Sequence, residues 1–572
     1  MPYYQLGEYF EGICPIKATK RLVFSSWKVV PKVIAAVVSH EAERHAIGSS
    51  YRLENDEISI ENSTEGRKKI SALLRFNRTE ERLTGMPVLG LVYPSSSMAK
   101  VFDPAQVEKA SYSISETLAR AALQLVPLLD AVISRWSNGG DIDERWYWAA
   151  PILMDLNADE QATRRFWDQL NLAAEWSSES SSNSDQSDDD QETDTVWNEH
   201  VQEARNLIAE AAAKGGRPLG KPPDGLLETL AKSLVGNPAI AALRSIARVV
   251  GSESVDDEMV RLAAARAAWR VRNLFNLPEA ISLVRGFRPA EPYWLRVIEY
   301  CVDGCLQSVL DEYAHVLRDS LGVATLSATE AASKISEAMC SAIGLRAAGV
   351  GLDEIRAGAR GKLTIKRRQM RARFAARFGH GRQEQDSAVT RSDHVRAAFN
   401  SPFWPFVLAS TSVGQEGLDF HHYCHAIVHW NLPSNPVDLE QREGRIHRYK
   451  GHAVRKNVAL KHAVIPTGPL IDRWHEAFRL AEMNRKQSDS ELVPFWVFPH
   501  NEGASIDRYV PALPLSRDVE RFARLRNMLA IYRMVFGQPR QDELVTWLLE
   551  RYGPKTVSEI AKEFRIDLEP PK

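Results

Sequence analysis

Residues 410–451 read STSVGQEGLDFHHYCHAIVHWNLPSNPVDLEQREGRIHRYKG. Just upstream, Pro405 introduces Phe406-Val-Leu-Ala-Ser410, a short apolar run that reads as a buried strand. Ala426-Ile-Val-His-Trp430 is the next such run. Pro436 suits the first turn of a helix, and the helix it opens is expected to carry Gln441-Arg-Glu-Gly-Arg-Ile-His-Arg448. Strand, strand and helix in this order predict a parallel-sheet α/β lobe. Two kinds of chemistry sit on it. Arg445 and Arg448 are fixed guanidiniums able to reach phosphate oxygens, and Asp419, in the turn Gly417-Leu418-Asp419, is a carboxylate able to hold a ribose hydroxyl.

These residues resemble motifs V and VI of the superfamily 2 helicases and translocases. QREGRIHR is similar to the family's QxxGRxxR, and STSVGQEGLDF to its motif V, with Gly417 and Asp419 in the Gly-x-Asp positions. The joining phrase HWNLPSNPVDLEQREGR most resembles the Swi/Snf-type and RapA-like branch. Near the start of the chain, Arg21-Leu-Val-Phe-Ser-Ser-Trp27 resembles motif IV of the same lobe. The resemblance covers residues 15–50 and 390–465. It implies a RecA-like second lobe, with Arg445 and Arg448 as arginine fingers. Gln441, Gly417, Asp419 and Gly444 would contact the nucleotide. Ser25, Ser26, Ser410 and Thr411 would touch the nucleic acid. The implied cofactors are ATP and Mg²⁺. DNA is the expected track, with RNA left open.

The sequence departs from the family in one respect. A phosphate cradle needs G-x-x-x-x-G-K-[ST], and no such string occurs. Gly361-Lys362-Leu363-Thr364 is the nearest, with Leu where Ser or Thr should follow Lys. No D-E-x-H or D-E-A-D string follows an apolar strand. The implied ATPase therefore needs a P-loop lobe or subunit from elsewhere, or the chain is a truncated frame of a longer helicase. The alternative is a non-catalytic nucleic-acid-binding or scaffold subunit.

Composition sets further bounds. The chain has 572 residues, room for two to four domains, and 44% hydrophobic residues support a sizeable core. The net charge of −2 does not advertise a polyanion partner, but Lys366, Arg367, Arg368, Arg371, Arg373, Arg377 and Arg382 form a dense basic run. Phe374 and Phe378, four apart, suggest a helix there. Five cysteines (Cys14, Cys301, Cys305, Cys340 and Cys424) argue for a reducing, cytoplasmic setting, and Cys301 and Cys305 fall on one expected helix. No apolar run suggests a membrane span, so no membrane partner is expected. His421, His422, Cys424 and His425 invite a metal reading, but no second ligand pair accompanies them, and no metal is expected.

Along the chain, Leu22–Phe24 reads as a buried strand, followed by a helix from Lys32 to about Ile47 that presents Val33, Ile34, Val37, Val38 and Ala42. Pro87–Tyr93 reads as a further strand. Residues 105–380 are mostly helical in pattern. The Ser/Asp-rich tract at 177–195 cannot offset its ordering entropy and is expected to be a disordered loop. The tail is helical at Arg517–Phe536, Asp542–Tyr552 and Val557–Phe564. The expected organisation is 1–50 as the first part of the lobe, 51–385 as a helical insertion, 386–480 as the second part of the lobe, and 481–572 as a helical extension.

Overall fold

The computed structural model describes residues 6–51, 70–79, 82–106, 113–168, 190–285, 291–345, 348–357, 363–378, 385–411, 418–462, 470–487, 489–512, 514–534 and 541–564. It is mixed α/β and divides into two compact units. One comprises Met1–Pro15, Glu43–Gly344 and Ala463–Glu476; the other comprises Ile16–Ala42, Leu345–His462 and Ala477–Lys572.

The second unit is built on a sheet. Its strands are β1 (Lys20–Ser25), β2 (Ala348–Ala357), β3 (Leu363–Ala372), β4 (Ala375–Phe378), β5 (Val407–Thr411), β6 (Cys424–His429) and β7 (Asp507–Tyr509). Five of them form one parallel sheet in the order β7-β6-β1-β5-β4. The sheet needs apolar residues on both faces, because parallel strands are joined by crossovers that cover both. Alternation along β1 supplies them. Leu22 and Phe24 pack with Leu408, Phe378, Phe399, Phe420, Ile427 and Ile446 on one face. Val23 packs with Ala409, Val30 and Ile34 on the other. In register, Leu22 stands between Leu408 and Ile427, so segments far apart in the sequence meet in one core. Each such side chain contributes about 1.5–3 kcal/mol by leaving water.

The unit's helices are α1 (Val30–Tyr51), α2 (Gln385–Phe399), α3 (Pro436–Glu443), α4 (His452–Lys461), α5 (Asp518–Met534) and α6 (Gln541–Phe564). On α1 the buried face is Val30, Ile34, Ala35 and Ala36, while Val33 and Val37 are exposed, a rotation from the expected face. Helix α5 packs Leu525 and Phe522 on Leu439 of α3 and on Leu432. Gly553, at φ +73°, and Pro554 kink α6 between the two helices expected there.

Several expectations need correction. The basic run is not helical: β2 and β3 form a separate antiparallel ribbon, and Ala375–Phe378 is a strand of the main sheet. Strand β4 therefore puts sheet residues upstream of the expected boundary at 386. The run expected as a strand at Pro87–Tyr93 is instead a helix, Met86–Val92, capped by Tyr93 and buried nearly all round, so its unbroken apolar run carries no strand alternation. Cys301 lies in the last turn of one helix, Tyr293–Asp303, whereas Cys305, at φ +52°, caps the next. The Ser/Asp-rich tract lies outside the described residues up to 189, and a helix runs from Asp190 to Ala212.

The first unit is mainly helical. Ile114–Trp136 starts on a Ser113–Glu116 capping box. By length and composition it could cross a membrane, contrary to the reading from sequence. It buries a single stripe, Ala121, Leu125, Leu129, Val132 and Trp136, as a surface helix does. One buried carboxylate of this unit, Asp155, is paired and hydrogen-bonded. Arg261 Nη2 lies 2.9 Å from Asp155 Oδ2, and Asp155 also accepts from the Tyr93 hydroxyl at 2.6 Å and the Ser97 amide at 2.8 Å. Paired and hydrogen-bonded burial of this kind is the tolerable way to place a carboxylate in a core.

Candidate functional site

The carboxyl ends of parallel strands are where α/β lobes bind ligands, because helices and loops diverge there. Strands β1 and β5 end side by side, with Phe24 opposite Ser410 and Ser25 opposite Thr411. The four hydroxyl residues expected at the nucleic acid are thus brought to one edge, in unequal states. Ser410 is buried and its Oγ donates to the Phe378 carbonyl at 3.3 Å. Ser25 is buried, and its Oγ accepts from the Trp27 amide at 3.1 Å. Both are committed to the sheet end. Ser26 is exposed and Thr411 half-buried. The Ser26 amide donates to Asn431 Oδ1 at 2.8 Å, and the Asn431 amide returns a bond to Ser26 Oγ. The Trp430 amide donates to the Phe24 carbonyl at 2.9 Å, tying the end of β6 to β1.

The acidic turn and the arginine segment are laced together. The Phe420 amide donates to the Arg445 carbonyl at 2.9 Å, and Arg445 Nη1 donates to the Leu418 carbonyl at 3.3 Å. The His452 amide donates to the His421 carbonyl at 3.0 Å. Arg448 Nε lies 2.9 Å from Asp419 Oδ1, in a half-exposed ion pair. Asn400 Nδ2 donates to the Asp419 carbonyl at 2.8 Å, fixing the turn from α2. Gly417 lies outside the described residues.

Helix α3 is shorter than expected. Asn435 caps it by accepting from the Val437 amide at 2.9 Å, Pro436 fills its first turn, and it ends at Glu443. Gln441 is exposed on its last turn. Arg445 and Arg448 therefore lie on the turn after the helix, not on the helix itself. Gly444 has φ −59°, and a Cβ there would meet only the Glu440 and Gln441 carbonyls, at 3.4 and 3.5 Å. The fold does not demand glycine at this position.

Arg442 has a different job. It is buried, donates to the Asn431 carbonyl at 3.2 Å, and lies over the Phe24 ring. It positions α3 on the strand ends. Glu443 accepts from Arg508 Nε and Nη2 and lies 3.3 Å from His429 Nε2. Burial pushes its carboxyl up, but the bonds from His429 and Arg508 prevail and hold it below the usual range. Asn400, Asn431, Glu443 and Arg508 were not singled out from sequence. Asn431 stood in the quoted phrase, but Arg508 gave no local signal.

The histidine cluster is engaged elsewhere. His421 and His422 pack edge to face, His425 Nδ1 donates to the Ser505 carbonyl at 2.9 Å, and the Cys424 thiol donates to the Lys20 carbonyl at 3.2 Å. Among the described residues no three His, Cys, Asp or Glu side chains are grouped to hold a metal.

Chemically, these segments offer two guanidiniums, an exposed amide and two carboxylates, Asp419 and Glu443, both already ion-paired. Such a donor set fits the oxygens of a terminal phosphate. It does not fit Mg²⁺, which needs oxygen ligands at close range.

Residues 361–450 match the family model of the helicase conserved C-terminal domain. The matched segment runs from the ribbon through the turn after α3 and includes Asp419, Gln441, Gly444, Arg445 and Arg448. Comparison with curated proteins and with solved structures gives no match. The chain thus carries a helicase-type C-terminal domain in its sheet-bearing unit.

Proposed function

We propose that this domain is the second RecA-like lobe of an ATP-dependent nucleic-acid translocase of superfamily 2, most similar to the Swi/Snf- or RapA-like branch. It would supply Arg445 and Arg448 to ATP bound on a P-loop lobe or subunit that lies outside residues 1–572. The observation that carries this reading is the lacing of residues 418–421 to 445–452. It ties the turn that carries Asp419 to the segment that carries Arg445 and Arg448. A guanidinium fixed by backbone bonds stabilises developing phosphate charge without reorganising first. Gln441 and Gly444 would face the nucleotide, Asp419 its ribose, and Ser26 and Thr411 the nucleic-acid backbone. Mg²⁺ and the attacking water would be held by the partner lobe. When bound, ATP supplies the free energy for movement; this chain's residues bind and orient its outer phosphate.

The test is to purify the full chain alone and together with its associated polypeptides, identify those polypeptides, and assay ATP hydrolysis. The reading expects negligible hydrolysis by the chain alone, and hydrolysis in a complex whose second member contains G-x-x-x-x-G-K-[ST]. Full activity from the isolated chain would overturn it, as would a stable complex with a P-loop protein whose rate is the same with and without this chain. A scaffold role is the second reading. It is favoured by the Arg448–Asp419 ion pair, which occupies both side chains with each other.

A further inference from the structure

Residues 445–450 read Arg-Ile-His-Arg-Tyr-Lys, a run with three cations, a histidine and no acid. Its one aromatic side chain, Tyr449, is 44% exposed. The Tyr449 ring is the outer layer of a stack. Phe478 is buried, Phe495 half-buried and Tyr449 exposed, so the stack rises from the core to the surface. Phe478 and Phe495 have ring centres 5.8 Å apart and planes 7° apart; for Phe495 and Tyr449 the values are 5.6 Å and 18°. Trp496, 38% exposed, stands beside Tyr449 at 6.2 Å and 68°. Backbone bonds fix these rings. The Lys450 amide donates to the Phe495 carbonyl at 2.6 Å, and His447 Nε2 lies 3.3 Å from the Trp496 carbonyl. Lys450 itself sits at φ +47°, a left-handed conformation uncommon outside glycine, and its carbonyl accepts from Arg455 Nη1 at 2.8 Å. Its Nζ lies 4.6 Å from the Phe478 ring centre and 5.6 Å from that of Tyr449.

We propose that Tyr449, with Trp496 beside it, is a seat on which an unpaired base of single-stranded nucleic acid stacks. Every base has a flat π-face, and an exposed aromatic ring takes one with little regard to sequence. The ring is held before the base arrives, by the stack beneath it and the backbone bonds around it, so little freedom is lost on binding. The charge fits the same ligand. A single strand carries a phosphate with each base, and the acid-free run 445–450 places cations on either side of the ring in sequence. An apolar protein side chain would also cover the ring, but would leave that charge without a complement. Packing alone gains less from Tyr449 than from Phe478, because much of the Tyr449 ring stays in water. The choice of partner rests on the nucleic-acid part of the reading above; the stacking itself needs no ATP.

The experiment is fluorescence anisotropy of the full chain with two labelled strands of equal length, a thymidine 15-mer and an abasic 15-mer, across a KCl series. The two carry the same phosphates and differ only in bases. Wild type should prefer the thymidine strand. Tyr449→Ala should weaken binding to it by roughly five- to a hundredfold, the range for losing one base stack, and leave the abasic strand unaffected. The slope of log K against log salt should not change, because no phosphate contact is lost. Tyr449→Phe keeps the ring and should match wild type. Tyr449→Leu keeps an apolar cover on Phe495 without a ring, so it tests the seat even where the alanine variant fails to fold; it should bind as weakly as alanine. Trp547→Ala, at a ring of α6 that is 47% exposed, is the control and should match wild type. Circular dichroism checks that each variant keeps its helices. A folded Tyr449→Leu that binds the thymidine strand as wild type does overturns the proposal. So does a wild type that binds both strands equally or neither, and so does a control weakened as much as Tyr449→Leu. Weakened binding of a fluorescent ATP analogue with thymidine-strand binding intact would assign the ring to the nucleotide's base and also overturn it. Base-dependent binding with no ATPase in any complex would leave the seat standing while the nucleotide reading fails. ATPase in a complex, with wild type blind to bases, would do the reverse.

Discussion

Arg448 Nε and Asp419 Oδ1 lie 2.9 Å apart, joining the acidic turn before β6 to the last arginine of the segment after α3. The two side chains are 38% and 44% exposed, so water screens their attraction. Exposed pairs are worth about 0–1 kcal/mol.

Asp419→Asn and Arg448→Ala should therefore each change unfolding free energy by less than about 1 kcal/mol. Urea denaturation with an unchanged m-value checks this. A loss of several kcal/mol would make the pair a fold element and remove the argument that it is held for chemistry.

Phe420 is fully buried between Phe378 and Phe399, edge-on to both. Phe420→Ala should cost about 3–5 kcal/mol, because it leaves a cavity where the turn meets the sheet. The same denaturation series measures it. A cost under about 1 kcal/mol would show that the turn is not seated on this core.

Stability should fall on mild acidification. Burial, reinforced by Arg455 and Arg448, pushes His421 down to about 3, and burial with Lys456 pushes His425 down to about 4. Burial also lowers His422, His429 and His452. In the unfolded chain these groups titrate near 6.5, so below that pH the unfolded state binds more protons and unfolding becomes easier. Each contributes stability above about pH 6.5 that is lost as pH falls toward its folded value, by up to about 1.4 kcal/mol per pH unit. Denaturation at pH 7.5, 6.5 and 5.5 should give progressively lower midpoints. A flat or rising series would mean that these imidazoles can take protons in the folded state.

Much of the sheet could be read from sequence because its strands are short apolar runs at strand ends marked by Ser, Thr and Trp. β1, β5 and β6 fall where Leu22–Phe24, Phe406–Ser410 and Ala426–Trp430 indicated. That β1 pairs between the other two is visible only in the structure, since nothing local in residues 20–25 encodes a partner so distant in the chain. The ribbon was missed because its register, such as Glu354 opposite Lys366, does not show in a linear pattern. The helix at Met86–Val92 was missed because burial on all sides erases periodicity. The two arginines were assigned to a helix although Gly444, a frequent helix stop, stood just before them. The residues that hold the site, Asn400, Asn431 and Arg508, act through contacts across the fold, which a linear pattern does not display.

The most direct measurement is steady-state ATP hydrolysis by the complex of this chain with its P-loop-bearing partner, comparing wild type with Arg448→Ala and Arg448→Lys. The account predicts that Arg448→Ala lowers kcat by roughly 10²–10³ with KM changed far less, because the guanidinium acts on charge that develops in the reaction. Lys should rescue poorly, since an ammonium cannot fork across two oxygens. Arg448→Ala with wild-type kcat and weakened nucleic-acid binding would contradict the account, making Arg448 a backbone contact and the domain a scaffold.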